Sequence, residues 1–344
     1  MVAGHVEAYR AVLAARLEAA EAAPISVEEV QVGEDLGVVV VTSVLPLHPS
    51  CALLEAVLAT HIRQEPLLRS CRLRLIVADC PKLAPSGRLR YKSGQVQPDD
   101  CRRYREYLDQ VEELCRQGTW PFEGWRLVRM PVFGGFGLAL KAGLQILADE
   151  KVPFCLVLQH DRILKRPFGV ADILLTMKQR PETFRYIGLA SNSSRGALAR
   201  YRTMKIPVQE KLSSTANGRT LVPLPFWYDS THVANVQFYL DFVFGWHSME
   251  GTQYEKPFRL KTGDFPEDKL GNAMLAFYRL HGMKVHRLFG CYLLDDAETI
   301  YCRHIHGRKI NSGASRALEN YVDQQDVAEE EDLGIDDNFD ESDD

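Results

Sequence analysis

Leu36-Gly37-Val38-Val39-Val40-Val41-Thr42-Ser43 is the segment that most restricts the fold. It is apolar, β-branched and uninterrupted, the pattern of a strand covered on both faces rather than one with a wet side. A loop with two prolines, Val44 to Ser50, follows. Ser50 can then cap a helix over Cys51 to Thr60 that carries Leu53, Leu54, Val57 and Leu58 on one face. Leu73-Arg74-Leu75-Ile76-Val77-Ala78-Asp79 is a second strand and ends in a carboxylate. Strand, helix and strand at this spacing form a βαβ unit, which requires parallel pairing and a right-handed crossover.

The rest of the chain repeats the theme. The spacing predicts a helix from Arg102 to Cys115, a short strand from Trp125 to Met130, and a glycine-rich entry into a helix at Phe133-Gly134-Gly135-Phe136-Gly137-Leu138-Ala139-Leu140-Lys141-Ala142-Gly143-Leu144. Phe154 to Leu158 is a buried strand that stops at Gln159-His160-Asp161-Arg162. A carboxylate at the carboxyl end of a buried parallel strand lies where open α/β sheets bind ligands; an Asp there also serves as a plain strand-end or capping residue. The glycines have two readings as well. They let amides approach a phosphate at a helix N-terminus, and they let a helix pack tightly.

Further along, a helix spans Ala171 to Gln179 and a strand Phe184 to Ala190. Residues 196–222 lack a period and are expected to form a flap. Phe226-Trp227-Tyr228-Asp229-Ser230-Thr231-His232 sets aromatic faces beside polar groups, suited to a sugar ring or to a core. An acidic pair, Glu267-Asp268, opens a helix, and Val285 to Leu294 reads as a strand. His304 and His306 share a face if extended. Residues 1–24 hold an amphipathic helix, His5 to Ala23, stopped by Pro24.

Composition narrows the class. The 344 residues are 46% hydrophobic and 25% charged, an ordinary globular balance. No apolar run nears the roughly 20 residues that cross a bilayer, and the start does not resemble a secretory signal, so a cytoplasmic location is expected, or a nuclear one. Eight cysteines without a Cys-x-x-Cys pair read as reduced thiols. The net charge of −5 conceals a divided chain: residues 323–344 carry 12 acidic and no basic residues and are expected to stay disordered. Without them 41 basic face 34 acidic residues, which suits an anionic ligand. No nucleic-acid motif is present.

The order of these segments, across roughly Leu36 to Asn311, resembles the GT-A glycosyltransferases, family-2-like members in particular. The resemblance implies an α/β, Rossmann-like single domain, residues 35–312, with a mixed, mostly parallel central sheet flanked by helices. It implies an enzyme of the hexosyl- or pentosyltransferase kind that uses a nucleotide-diphospho-sugar donor. In that family the first strand and its loop hold the nucleobase, here Thr42, Ser43 and Pro46, and the Asp after the second strand, Asp79, contacts the nucleoside. Gly137 to Gly143 is similar to the family's Gly-x-Ala-x-Asn-x-Gly helix, with Lys141 in the Asn position. Gln159-His160-Asp161 matches the Asp-x-Asp motif with its first Asp replaced by Gln; His160 and Arg162 stand beside the kept carboxylate. By the same resemblance Asp161 with His304 or His306 would hold a divalent cation, Mn2+ or Mg2+, and Asp268, with Glu267 second, would be the base of an inverting transfer. The acceptor is not legible. A nucleotidyltransferase and a non-catalytic scaffold on the same fold are the alternatives.

Overall fold

The computed structural model describes residues 30–84, 91, 94–191, 213–294 and 299–305. The expected N-terminal helix, the acidic tail, His306 and most of the expected flap lie outside them. A turn of helix at Val32–Asp35 leads into β1, Leu36–Thr42, whose seven residues are all buried. The next elements are α1 (Ala52–Gln64), β2 (Leu73–Ala78), the two-residue strands β3 (Lys82–Leu83) and β4 (Gln95–Val96), and α2 (Pro98–Gln117). They are followed by β5 (Trp125–Arg129), α3 (Gly135–Asp149), β6 (Phe154–Gln159), β7 (Arg162–Leu164), α4 (Val170–Gln179) and β8 (Tyr186–Leu189). Then come β9 (Ser213–Ser214), β10 (Thr220–Pro223), β11 (His232–Asn235), α5 (Asn272–His281), β12 (Cys291–Leu294) and β13 (Cys302–His304).

Among the described residues one nine-stranded sheet runs β5-β2-β1-β6-β11-β8-β12-β10-β9. The pairs β5–β2, β2–β1, β1–β6 and β8–β12 are parallel, while β11 runs against both its neighbours and β10 against both of its own. Seven strands therefore point one way and two the other. The fold is α/β with a mixed, mostly parallel sheet, as expected. β1 is its axis: Val41 lies beside Val77 on one side and Gln159 on the other. The carboxyl ends of β1, β2 and β6 consequently open on one edge, with Thr42–Ser43, Asp79 and Gln159–Asp161 as neighbours there.

Two segments differ from the sequence expectation, and a third settles between two readings that the sequence left open. Val285 to Leu294 is a strand only from Cys291; a helical turn, His286–Phe289, precedes it and is stopped by Gly290 at φ +60°, which favours glycine. The end of the expected flap, from Ser213, is sheet: β9 and β10 extend the edge beyond β12. Trp227 is fully buried and packs against Tyr186, Tyr239 and Phe242, so this ring belongs to the core and not to a sugar platform.

Candidate functional site

The site builds outward from the end of β1. The backbone N–H of Ser43 donates to His160 Nδ1 at 3.2 Å, and Thr42 Oγ1 lies 2.9 Å from the same nitrogen. Thr42 Oγ1 is also 3.2 Å from the hydroxyl of Tyr107 on α2. His48 stacks on Tyr107 with ring centroids 4.1 Å apart and accepts the N–H of Leu45 at 3.0 Å. Burial, then the nearby His160 and Arg103, lower the His48 pKa to about 3, so this ring is a neutral packing element at ordinary pH. Arg103 donates to the Pro46 carbonyl at 3.2 Å. The proline loop is thus fastened to α2, and Thr42, Leu45, Leu47, His48, Tyr107 and His160 line a shallow depression. Thr42, Ser43, Pro46 and His160 come together here.

Asp161 follows directly. β7 pairs with β13 antiparallel, Arg162 opposite His304, and Ile305 N–H donates to the Asp161 carbonyl at 2.8 Å. This register sets His304 Nε2 2.9 Å from Asp161 Oδ2, across 143 positions of sequence. His160 Nε2 lies 4.0 Å from the same oxygen. Burial by itself would raise the Asp161 carboxyl. The His304 hydrogen bond and the electrostatic pull of His160, His304 and Arg162 outweigh it and hold the group well below the usual carboxylate range. Asp161 is therefore ionised at all ordinary pH.

Asp79 has a different occupation. Its Oδ1 accepts the N–H of Gly134 at 2.8 Å and its Oδ2 that of Gly135 at 3.0 Å, so an internal carboxylate caps α3. The anion position of this helix is filled by the protein itself. The glycines are explained by a close crossing. Gly135 has φ +73°, and a Cβ there would lie 2.8 Å from the Cα of Gly263; a Cβ on Gly137 would lie 2.9 Å from the Asp264 carbonyl. Gly263 N–H completes the contact by donating to the Gly134 carbonyl at 2.9 Å. Lys141 is exposed on α3, its ammonium 5.7 Å above the Phe244 ring. Of the residues expected to touch the donor, Asp79 and Gly137 hold the frame.

The segment locked by those glycines leads into Glu267 and Asp268. Glu267 Oε2 accepts the N–H of Asp229 at 3.0 Å, and Asp229 Oδ2 accepts the N–H of Glu267 at 3.2 Å. Asp229 is buried, and its carboxyl is pushed well above the ordinary range by desolvation and then by the Glu267 charge, with Asp268 adding to this and Arg162 opposing it. Asp268 stays exposed at the start of the helical turn Glu267–Gly271. Gln159 joins the two sides of the site: its Nε2 donates to the Asp229 carbonyl at 2.9 Å, and its Oε1 accepts Arg162 Nε at 2.7 Å. Asp229 is the site residue that the sequence reading missed. Its signal was a carboxylate among aromatics just before a strand, which is also the signature of a core corner. Among the described residues no group of three or more His, Cys, Asp or Glu forms a ready-made metal cage.

No family model matches this chain, and no curated protein matches it. Solved structures do resemble it. The chain is similar to the mannosyltransferase PcManGT from Pyrobaculum calidifontis in complex with GDP-Man and Mn2+, at 12% identity over 92% of this chain and 70% of that one, TM-score 0.43. It is similar to S. aureus TarS 1-349 in complex with UDP-GlcNAc, at 11% identity over 87% and 68%, TM-score 0.39. It is also similar to GalNAc-T7 with UDP, GalNAc and Mn2+, at 12% identity over 86% of this chain but only 48% of that one, TM-score 0.44.

Proposed function

We propose that this protein is a glycosyltransferase that moves a sugar from a nucleotide-diphosphate donor to an acceptor hydroxyl, with inversion. The observation that carries the proposal is the Asp161–His304 pair, an ionised carboxylate and an imidazole 2.9 Å apart at the carboxyl end of β6. That edge of an open α/β sheet is where ligands bind.

The donor set suits a divalent cation such as Mn2+ or Mg2+. Asp161 Oδ2 and His304 Nε2 already converge within 2.9 Å, and a carboxylate oxygen and an imidazole nitrogen that has given up its proton would be able to hold such an ion. Among the described residues Asp161 and His304 are the groups that would hold it. When bound, such an ion would supply Lewis-acid stabilisation to the leaving diphosphate. The protein's own residues divide the remaining work. The Thr42–Pro46 loop, held to α2, seats the nucleobase. His160 and Arg162 stand beside the diphosphate. Asp268, exposed where Glu267 is committed to the Asp229 amide, takes the proton of the acceptor hydroxyl, with Glu267 as the second choice. Asp79 and Gly137 enter as framework rather than as donor contacts, and Lys141, exposed on α3 beside Phe244, is given no part in the transfer.

Purified full-length protein incubated with a panel of nucleotide sugars, with and without Mn2+, should release nucleoside diphosphate from at least one donor. Asp161→Ala and Asp268→Ala should each lower turnover by at least ~10²-fold, the scale of a lost acid–base or charge-stabilising group, without unfolding the protein. The anomeric configuration of the product, read by NMR, tests inversion. Pyrophosphate release from a nucleoside triphosphate, with no reaction from any sugar donor, would instead establish a nucleotidyltransferase.

A further inference from the structure

We infer that Gln159 is a positioning residue that aims Arg162 as a fixed anion-binding cation beside Asp161 and His304, doing with a neutral amide what a second carboxylate could not. The inference deepens the donor reading above and rests on it for the identity of the anion.

Chemistry fixes the orientation of the amide. Arg162 Nε can only donate and the Asp229 carbonyl can only accept, so Gln159 must turn Oε1 to the arginine and Nε2 to the carbonyl. Both contacts are made at once, at 2.7 and 2.9 Å, and together they hold the half-buried guanidinium at its inner nitrogen. Among the described residues no hydrogen bond engages its two terminal nitrogens, which are the fork that binds phosphate bidentately. An Asp at this position would be one methylene shorter, could not donate to the Asp229 carbonyl, and would neutralise the arginine it touched. It would also add a negative charge to a neighbourhood that already holds Asp161 and Glu267 and already pushes the Asp229 carboxyl up. A neutral amide adds no further compensation to a guanidinium that Asp161 and Asp229 already attract, and leaves its terminal fork to a ligand. The ligand it fits is the diphosphate of the donor, and the site should hold such an anion with no divalent ion present.

The test is calorimetric titration of the full chain with inorganic pyrophosphate in EDTA, with thermal midpoints measured alongside. Wild type should bind. Arg162→Met should weaken binding about ten- to a hundredfold, the fold-change of a lost hydrogen bond to a charged group. Gln159→Met should weaken it several-fold, and the double variant should match Arg162→Met alone, because Gln159 acts through the arginine. Arg162→Lys, which keeps the charge but not the fork, should fall between wild type and Arg162→Met. Additive losses in the double variant, unchanged affinity in Arg162→Met, or no binding by wild type would each overturn the inference. The donor panel separates the two claims. Turnover without Arg162-dependent pyrophosphate binding sinks this inference alone, and Arg162-dependent binding without turnover sinks the transferase reading alone.

Discussion

Asp79→Ala separates a framework role from a ligand-contacting one. In the structure both oxygens of Asp79 are spent on the amides of Gly134 and Gly135, in a buried position at the start of α3. Removing the carboxylate orphans two buried N–H groups, and each costs about 1–3 kcal/mol. An opposing effect reduces the sum. Burial raises the Asp79 carboxyl by more than the Gly134, Gly135 and Cys80 amides lower it, so ionised Asp79 is itself held at some expense, which the variant relieves. The lower half of the range is therefore the better expectation, about 3 kcal/mol in total. For a chain of this size that is a fall in melting temperature of roughly 4–6 °C. Circular dichroism melts and urea titrations measure it directly. Titration of the variant with uridine and guanosine diphosphates below its melting transition then asks whether the nucleoside site survives, and affinity within a few-fold of wild type is expected. A melting temperature within 2 °C of wild type together with a tenfold or larger loss of nucleotide affinity would refute the reasoning and return Asp79 to the donor.

Gly137→Ala should act in the opposite sense, on rate more than on stability. Alanine favours the helix by about 1 kcal/mol, while its Cβ would press on the Asp264 carbonyl from 2.9 Å, at an overpacking cost of about 1–3 kcal/mol. The segment ahead of Glu267 and Asp268 must then yield by a few tenths of an ångström, so kcat should drop several-fold with a melting shift below about 4 °C; steady-state kinetics showing an unchanged kcat would sever the link between the glycine helix and the acidic pair. Asp229→Asn addresses pH. The Asp229 carboxyl is raised in the folded state, so the stability it contributes is present at low pH and is lost as pH rises through its folded value. Asparagine can still accept the Glu267 N–H, and thermal melts from pH 4 to 9 should show a flatter alkaline decline and a variant more stable than wild type at the alkaline end; a variant weakened equally at every pH would contradict this.

The sheet was legible because its central strands have no wet face. β1 and β6 are near-continuous apolar runs and β2 is interrupted only by Arg74, and such runs admit few other placements. Asp161 could be found for the same reason, as the first carboxylate after such a run. What joins it to His304 could not be read. β7 and β13 are three residues each, too short to show a period, and their pairing spans more than half the described chain. The glycine cluster fails differently. Sequence cannot tell an amide aimed at a phosphate from one aimed at Asp79, because both need the same residue and the same turn. At Leu288 and Phe289 apolar character imitated a strand, and the αL geometry at Gly290 that ends the helical turn is a local detail that hydrophobicity does not encode.

The reversal of β11 accounts for the shape of the site. Its register against β6 places His232 beside Val157 and Asn235 beside Phe154, so the chain enters β11 at the edge where β6 leaves. Asp229, three residues before β11, therefore arrives opposite Gln159, and the amide of Gln159 meets its carbonyl. Had β11 run parallel to β6, its start would lie at the far edge, roughly 13 Å away across four residues at about 3.3 Å each. Asp229 would then be out of reach of Gln159 and Arg162, and Glu267, bound to Asp229 amide-for-carboxylate in both directions, would have no anchor at this end of the sheet. One antiparallel strand in an otherwise parallel neighbourhood thus ties a carboxylate–imidazole centre and an acidic pair to a single edge. The neutral side chain of Gln159 joins them without adding a further charge to either.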